Sequence, residues 1–316
     1  MKTPVVYVAL QQFCEADAGP RRLLLDAGFD VRQNTLGRRL HREELLAALR
    51  EADAVVAGVE AYDAELFDAL PRLRCISRCG VGTDAIDLEE ARRRGIMVYT
   101  TPDEVTEPVA QLTVGMILAL ARNLPQHLDD SRKALWKKRT GVLLSEWTVG
   151  LVGYGRIGRA VARYLRPFGP RILVSDPALS PSETLSGVER VALPALLAAS
   201  DLVSLHAGRP AGAGPLLGWQ ELAAMKQGSR LVNTARGHLV DEAALYDAIQ
   251  SGRLAGAALD VFAEEPYAGP LAQLPQVVCT PHVASLTKTS RIAMERRCAE
   301  HVVEWWSTAS CLIPRS

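Results

Sequence analysis

Short apolar, β-rich runs alternate with amphipathic stretches from the start of the chain: Val5 to Leu10, Val31 to Asn34, Ala54 to Gly58, Cys75 to Cys79 and Met97 to Thr100. Helical patterns such as Glu43 to Ala52 lie between them. Strand, helix and strand at this spacing predict a parallel sheet. A second series starts at Thr148 and continues through Arg171 to Asp176, Leu202 to His206, Arg230 to Ala235, Gly256 to Val261 and Val277 to Thr280, predicting a second sheet of six strands. A long apolar helix is expected between the two series, entered at Thr106 with Pro108 in its first turn, where a missing N–H costs little. Lys288 to Trp306 reads as another long helix, expected to pack back against the first half because the first sheet is already complete. The expected fold is α/β: two doubly wound parallel-sheet domains joined by crossover helices. Residues 1–102 plus 284–316 form a flavodoxin-like domain and residues 103–283 the second. The pattern shows no internal repeat, and Pro210 to Pro215 is a small Gly/Pro/Ala loop.

Composition narrows the classes. With 316 residues, 48% apolar and 23% charged, the chain has material for two cores. Its 36 basic and 36 acidic residues cancel, which argues against nucleic acid or an anionic membrane as a partner. The basic run Arg92 to Arg94 follows Leu88 to Ala91 in helical phase and reads as a solvated helix end. Cys14, Cys75, Cys79, Cys279, Cys298 and Cys311 form no CxxC pair, so neither a disulfide framework nor a metal site is expected. Reduced thiols in the cytoplasm are the expectation. Met1 to Phe13 offers too little for a signal peptide. Val109 to Ala121 falls short of the roughly 20 residues that span a bilayer and contains Gln111 and Thr113, so a buried helix is expected.

The chemistry enters at Thr148 to Gly158, where G-x-G-x-x-G falls on Gly153, Gly155 and Gly158, after a strand and at the opening of the helix Arg156 to Leu165. Gly153 permits the tight turn, Gly155 lets backbone approach a pyrophosphate, and Gly158 lets helix and strand pack closely. The N–H groups near Arg156 and Ile157 would face the phosphate. The next strand ends at Asp176, about 20 residues beyond Gly155, where a carboxylate binds a ribose 2′-OH and repels a 2′-phosphate. This predicts a Rossmann domain that takes NAD rather than NADP.

Ligands in wound sheets sit beyond the carboxyl ends of the strands, which singles out Arg236, Glu265 and His282. Reducing a 2-oxo acid needs a cation for its carboxylate, a proton donor for its carbonyl oxygen and a hydride. Arg236 fits the first need as a bidentate fork. His282 fits the second, with Glu265 expected to favour the imidazolium; neutral His282 would be the base in the reverse direction. His206 also ends a strand but has no evident acid partner, so a packing role is expected, and His238 is expected at the surface.

These motifs resemble the D-isomer-specific 2-hydroxyacid dehydrogenases and, within that family, look like its phosphoglycerate dehydrogenase branch. The resemblance rests on Arg78 to Asp87, Val149 to Gly158, Val232 to Gly237, Gly256 to Pro266 and Thr280 to His282. It implies that Arg236, Glu265 and His282 are catalytic and that Thr234 and Asp260 line the nicotinamide site. It also implies that Val81 and Gly82 offer amides to the substrate carboxylate, and that two copies join through their NAD domains as a homodimer. The phosphoglycerate branch commonly brings two arginines to the phosphate. Arg78 matches one, but the other aligns near Ala57 and Gly58, with Glu60 close by. Ala85 and Gln111 replace a usual asparagine and glutamate, and no regulatory domain is expected after His301 and the short tail. The expected reaction is hydride transfer on a small 2-hydroxy or 2-oxo acid. Glyoxylate, hydroxypyruvate and a phosphonate analogue of pyruvate stand as alternatives to phosphoglycerate. An NAD-sensing, corepressor-like binding protein is the rival of another class; neutral charge and the intact Arg, Glu and His weigh against it.

Overall fold

The computed structural model describes residues 3–180, 182–208 and 212–312, so Pro210 and the Cys311 side chain lie outside the described residues. Its contacts divide the chain into two compact units, Met1–Val105 with Ser285–Ser316, and Thr106–Ala284.

In the first unit β1 (Val5–Val8), β2 (Asp30–Gln33), β3 (Ala54–Ala57), β4 (Cys75–Arg78) and β5 (Met97–Tyr99) form a parallel sheet in the order β2-β1-β3-β4-β5. The helices α1 (Gly19–Asp26), α2 (Arg42–Leu49), α3 (Ala64–Ala69) and α4 (Leu88–Arg93) make the crossovers. Val55, Ala57 and Ile76 meet Leu45, Leu49, Leu66 and Phe67 in one buried cluster. The basic run ends α4 as expected: Arg93 and Arg94 both pair with Glu90.

The second unit begins within α5 (Pro102–Ala121), followed by α6 (Leu124–Arg132). Its strands are β6 (Thr148–Val152), β7 (Arg171–Ser175), β8 (Glu189–Arg190), β9 (Leu202–Leu205), β10 (Ser229–Asn233), β11 (Leu254–Leu259) and β12 (Val277–Cys279), in the order β12-β11-β10-β9-β6-β7-β8. The crossovers include α7 (Arg156–Leu165), α8 (Leu193–Ala199), α9 (Trp219–Ala224) and α10 (Glu242–Gln250). Both faces are covered, which is why the strands read as continuous apolar runs. Leu173, Val203, Leu231 and Leu259 point to one cluster, whereas Ile172, Leu202, Val232 and Ala258 point to the other, with Ala110, Ile117 and Leu120 of α5. The last helix, α11 (Lys288–Leu312), belongs to the first unit and lies against α1 and β4.

Two expectations need correction. The sheet has seven strands, not six; β8 is two exposed residues paired to Leu173 and Val174, and so carries no apolar signal. The long helix starts at Pro102 rather than Thr106, because Pro102, Asp103 and Glu104 already make a favourable first turn. Pro108 therefore lies inside the helix, where it cannot donate to the Glu104 carbonyl. Ser290 Oγ donates to that carbonyl instead, at 2.6 Å. At 20 residues this helix is long and apolar enough to cross a bilayer, but half of its apolar window is buried within the protein.

Candidate active site

The glycine-rich loop closes β6 onto α7 by backbone alone. Gly153 has φ +93°, and a Cβ there would come within 2.6 Å of the His206 carbonyl and the Ala207 nitrogen. A Cβ on Gly158 would come within 2.3 Å of the Gly153 carbonyl oxygen. Gly155 is the opposite case: as N-cap of α7 it has nothing within 4 Å of its would-be Cβ. The loop thus seats itself against β9 while leaving open space before the first N–H groups of α7, at Arg156 and Ile157, which fits a pyrophosphate. Asp176, just past β7, accepts from Tyr154 N at 2.7 Å and Ala178 N at 2.8 Å, so its carboxylate is fixed beside this loop.

His206 packs under the same loop. Its Nε2 lies 3.0 Å from Ser204 Oγ, its Nδ1 is buried without a partner among the described residues, and desolvation lowers its pKa to about 4. No acid partner meets its ring among the described residues.

The three strand-end residues are assembled by β10, β11 and β12. His282 Nδ1 sits 2.9 Å from Glu265 Oε2, and the other Glu265 oxygen accepts from Phe262 N at 3.1 Å. Both side chains keep substantial exposure, 44% for His282 and 37% for Glu265, so the pair is open to a small ligand. His282 has φ +53°, a left-handed conformation uncommon for a non-glycine residue. Asp260 holds it there. The Asp260 carbonyl accepts His282 N at 2.9 Å, while its carboxylate accepts Thr280 Oγ1, Val283 N and Ala284 N. Expected as a lining residue, Asp260 is fully buried with three protein donors on its carboxylate.

Arg236 follows β10 on a turn tied by Asn233, whose Nδ2 donates to the Arg236 carbonyl at 2.8 Å and whose Oδ1 accepts Ala235 N at 3.0 Å. Gly237 lets this turn touch the Glu265 loop: a Cβ there would lie 1.8 Å from the Phe262 carbonyl carbon. Thr234, 7% exposed, lies between β10 and that turn. Asn233, Gly237 and Thr280 support these loops and Asp260, and the reading of single residues missed them. Their signal was present, since each sits within two residues of a singled-out side chain.

Arg78, Val81 and Gly82 lie in the first unit, at the end of β4 and on the loop after it. That loop is pinned at Gly80, whose N–H donates to Thr101 Oγ1 at 2.8 Å and whose carbonyl accepts Thr101 N at 2.9 Å. Arg78 donates to the Cys79 carbonyl, and Val81 is exposed. Glu60, after β3, is buried and accepts Gly58 N at 3.0 Å; burial raises its carboxyl pKa above the ordinary value.

Residues 114–284 match the family D-isomer specific 2-hydroxyacid dehydrogenase, NAD binding domain. The chain is 37% identical to the D-3-phosphoglycerate dehydrogenase of Homo sapiens over 287 residues, 89% of this chain and 52% of that protein. It thus spans about half the length of the phosphoglycerate dehydrogenases it matches. It is 39% identical to the glyoxylate reductase of Thermococcus kodakarensis over 89% of this chain and 88% of that protein. Among solved structures it resembles the TT0316 protein of Thermus thermophilus (TM-score 0.84, 37% identity, 94% of each chain). It also resembles the D-lactate dehydrogenase of Aquifex aeolicus complexed with NAD and lactic acid (TM-score 0.84, 29% identity, 96% of each chain). With the dinucleotide loop and the strand-end pair in place, these matches make the chain a member of the D-isomer specific 2-hydroxyacid dehydrogenase family.

Proposed function

We propose that the protein interconverts small 2-oxo acids and D-2-hydroxy acids with NAD. The observation that carries this is the His282–Glu265 pair at 2.9 Å, on the same end of the seven-stranded sheet as the Gly153–Gly158 loop and the Arg236 turn. When bound, the nicotinamide supplies or accepts the hydride. The proton belongs to His282. With Nδ1–H donated to Glu265, Nε2 is the atom that gives a proton to the substrate oxygen in reduction and takes it back in oxidation. Glu265 also offsets the positive charge the ring carries when protonated. Arg236 binds the substrate carboxylate, and in the first unit Arg78 and the Val81 and Gly82 amides are the groups suited to an anionic substrate. Gly153, Gly155, Arg156, Ile157 and Gly158 seat the pyrophosphate, Asp176 the adenosine ribose, and Thr234 the nicotinamide.

In this reading residues 1–102 and 284–316 serve the substrate and 103–283 the cofactor. An unphosphorylated substrate of the glyoxylate or hydroxypyruvate class is favoured. Ala57 and Gly58 stand where a second phosphate-binding arginine would align, and the buried acid Glu60 follows them. Leu128, Trp136 and Leu143 are 55%, 92% and 64% exposed on and after α6, an apolar surface suited to a homodimer joined through the NAD domains. The free thiols of Cys14, Cys75, Cys79, Cys279 and Cys298 suit a cytoplasmic enzyme. A panel of 2-oxo acids followed by NADH absorbance tests the proposal: turnover is expected with glyoxylate or hydroxypyruvate, and no turnover with any member overturns it.

A further inference from the structure

We infer that Thr113 of α5 is a positioning residue that sets the Thr234 hydroxyl as a hydrogen-bond acceptor for the amide N–H of the nicotinamide. The inference rests on the proposed cofactor site and deepens it.

The argument is a count of protons. Thr113 is fully buried, and its Oγ1 lies 2.8 Å from the Val109 carbonyl and 2.8 Å from Thr234 Oγ1. Each hydroxyl has one hydrogen and the carbonyl has none. If Thr113 gave its proton to Thr234, its own oxygen and the Val109 carbonyl, both bearing lone pairs, would face each other at 2.8 Å in a buried setting, where an unsatisfied contact is costly. The proton of Thr113 therefore goes to Val109, and Thr234 donates to Thr113. What Thr234 has left are lone pairs, so any further partner has to be a donor.

Thr234 adjoins the Arg236 turn at the carboxyl end of β10, the position from which a nicotinamide would be reached. A nicotinamide presents one donor group, the NH2 of its carboxamide. An acceptor-only Thr234 would fix the rotation of that amide, since the amide oxygen placed there would meet lone pairs. A Thr234 without Thr113 could turn and accommodate either group.

The test compares the equilibrium binding of NAD and of 3-acetylpyridine adenine dinucleotide, in which a methyl group replaces the amide NH2, measured by calorimetry on the full chain. One hydrogen bond lost in a buried site should make wild type prefer NAD by about tenfold. Thr113→Val, equal in shape but without the hydroxyl, should reduce that preference to about two- to threefold, as Thr234 becomes free to rotate. Thr113→Ser, which keeps the relay, should retain the wild-type ratio. A ratio unchanged in Thr113→Val overturns the inference while leaving the cofactor site standing. An equal loss of affinity for both dinucleotides, as expected if Thr234 instead accepts from a ribose hydroxyl, also overturns it. Failure of wild type to bind either dinucleotide overturns the cofactor site itself.

Discussion

The carboxyl ends of the two sheets are held in different ways. In the seven-stranded sheet the strand-end groups are tied over separations of at most 24 residues: Asn233 to Ala235 and Arg236, Glu265 to Phe262, and Asp260 to Thr280, Val283 and Ala284. In the five-stranded sheet Gly80 is tied to Thr101, and further ties come from far along the chain. Ser77 Oγ meets His301 Nδ1 of α11 at 3.1 Å, the His301 ring stacks on Tyr99, and Cys14 N donates to Glu295 at 2.9 Å. The lesson is about preorganisation. Ties within one stretch of chain fix the strand-end groups of the larger sheet, whereas the end of the first sheet is also tied to α11.

The largest expected effect sharpens this contrast at its chemical end. His282→Ala should lower kcat by about 10² to 10⁴, the usual value of a general acid/base, while NAD affinity stays almost unchanged. A loss below about tenfold would remove His282 from the proton path.

A smaller effect compares one histidine from each unit. Burial lowers the pKa of His206 to about 4 and also lowers that of His301. Each folded pKa lies below the unfolded value, so unfolding takes up protons as the pH falls below about 6.5. Stability is thus full above about pH 6.5 and declines below it, by up to about 3 kcal/mol for His206 by pH 4. Urea unfolding of His206→Asn against wild type, at pH 7 and pH 4.5, should show a shallower decline in the variant. Reading the difference cancels the carboxylates, Glu60 among them. Equal declines would show that His206 is charged in the fold.

The smallest expected effect concerns Asp176. A 2′-phosphate would meet its carboxylate, so wild type should prefer NADH to NADPH, and Asp176→Ala should narrow the gap in kcat/KM. Equal kcat/KM for both cofactors in wild type would refute this role.

Legibility followed the same division. The loop Gly153 to Gly158, the strands around it and the set Arg236, Glu265 and His282 were readable because motif and strand order place them together. The length of α5 was misjudged because Pro108 reads as a first-turn residue, and only the remote Ser290 shows how its interior position is tolerated. The strand β8 escaped because two exposed residues carry no pattern. The Thr113–Thr234 contact spans 121 residues, and no spacing rule reaches that far.

The central claim is that His282 and the cofactor together deliver a proton and a hydride to the carbonyl of a 2-oxo acid. It is tested most directly with NADH carrying deuterium at both positions of nicotinamide C4, incubated with glyoxylate and hydroxypyruvate. The account predicts a single deuterium at C2 of each product and, from hydroxypyruvate, the D enantiomer. Unlabelled product, or the L enantiomer, would contradict it.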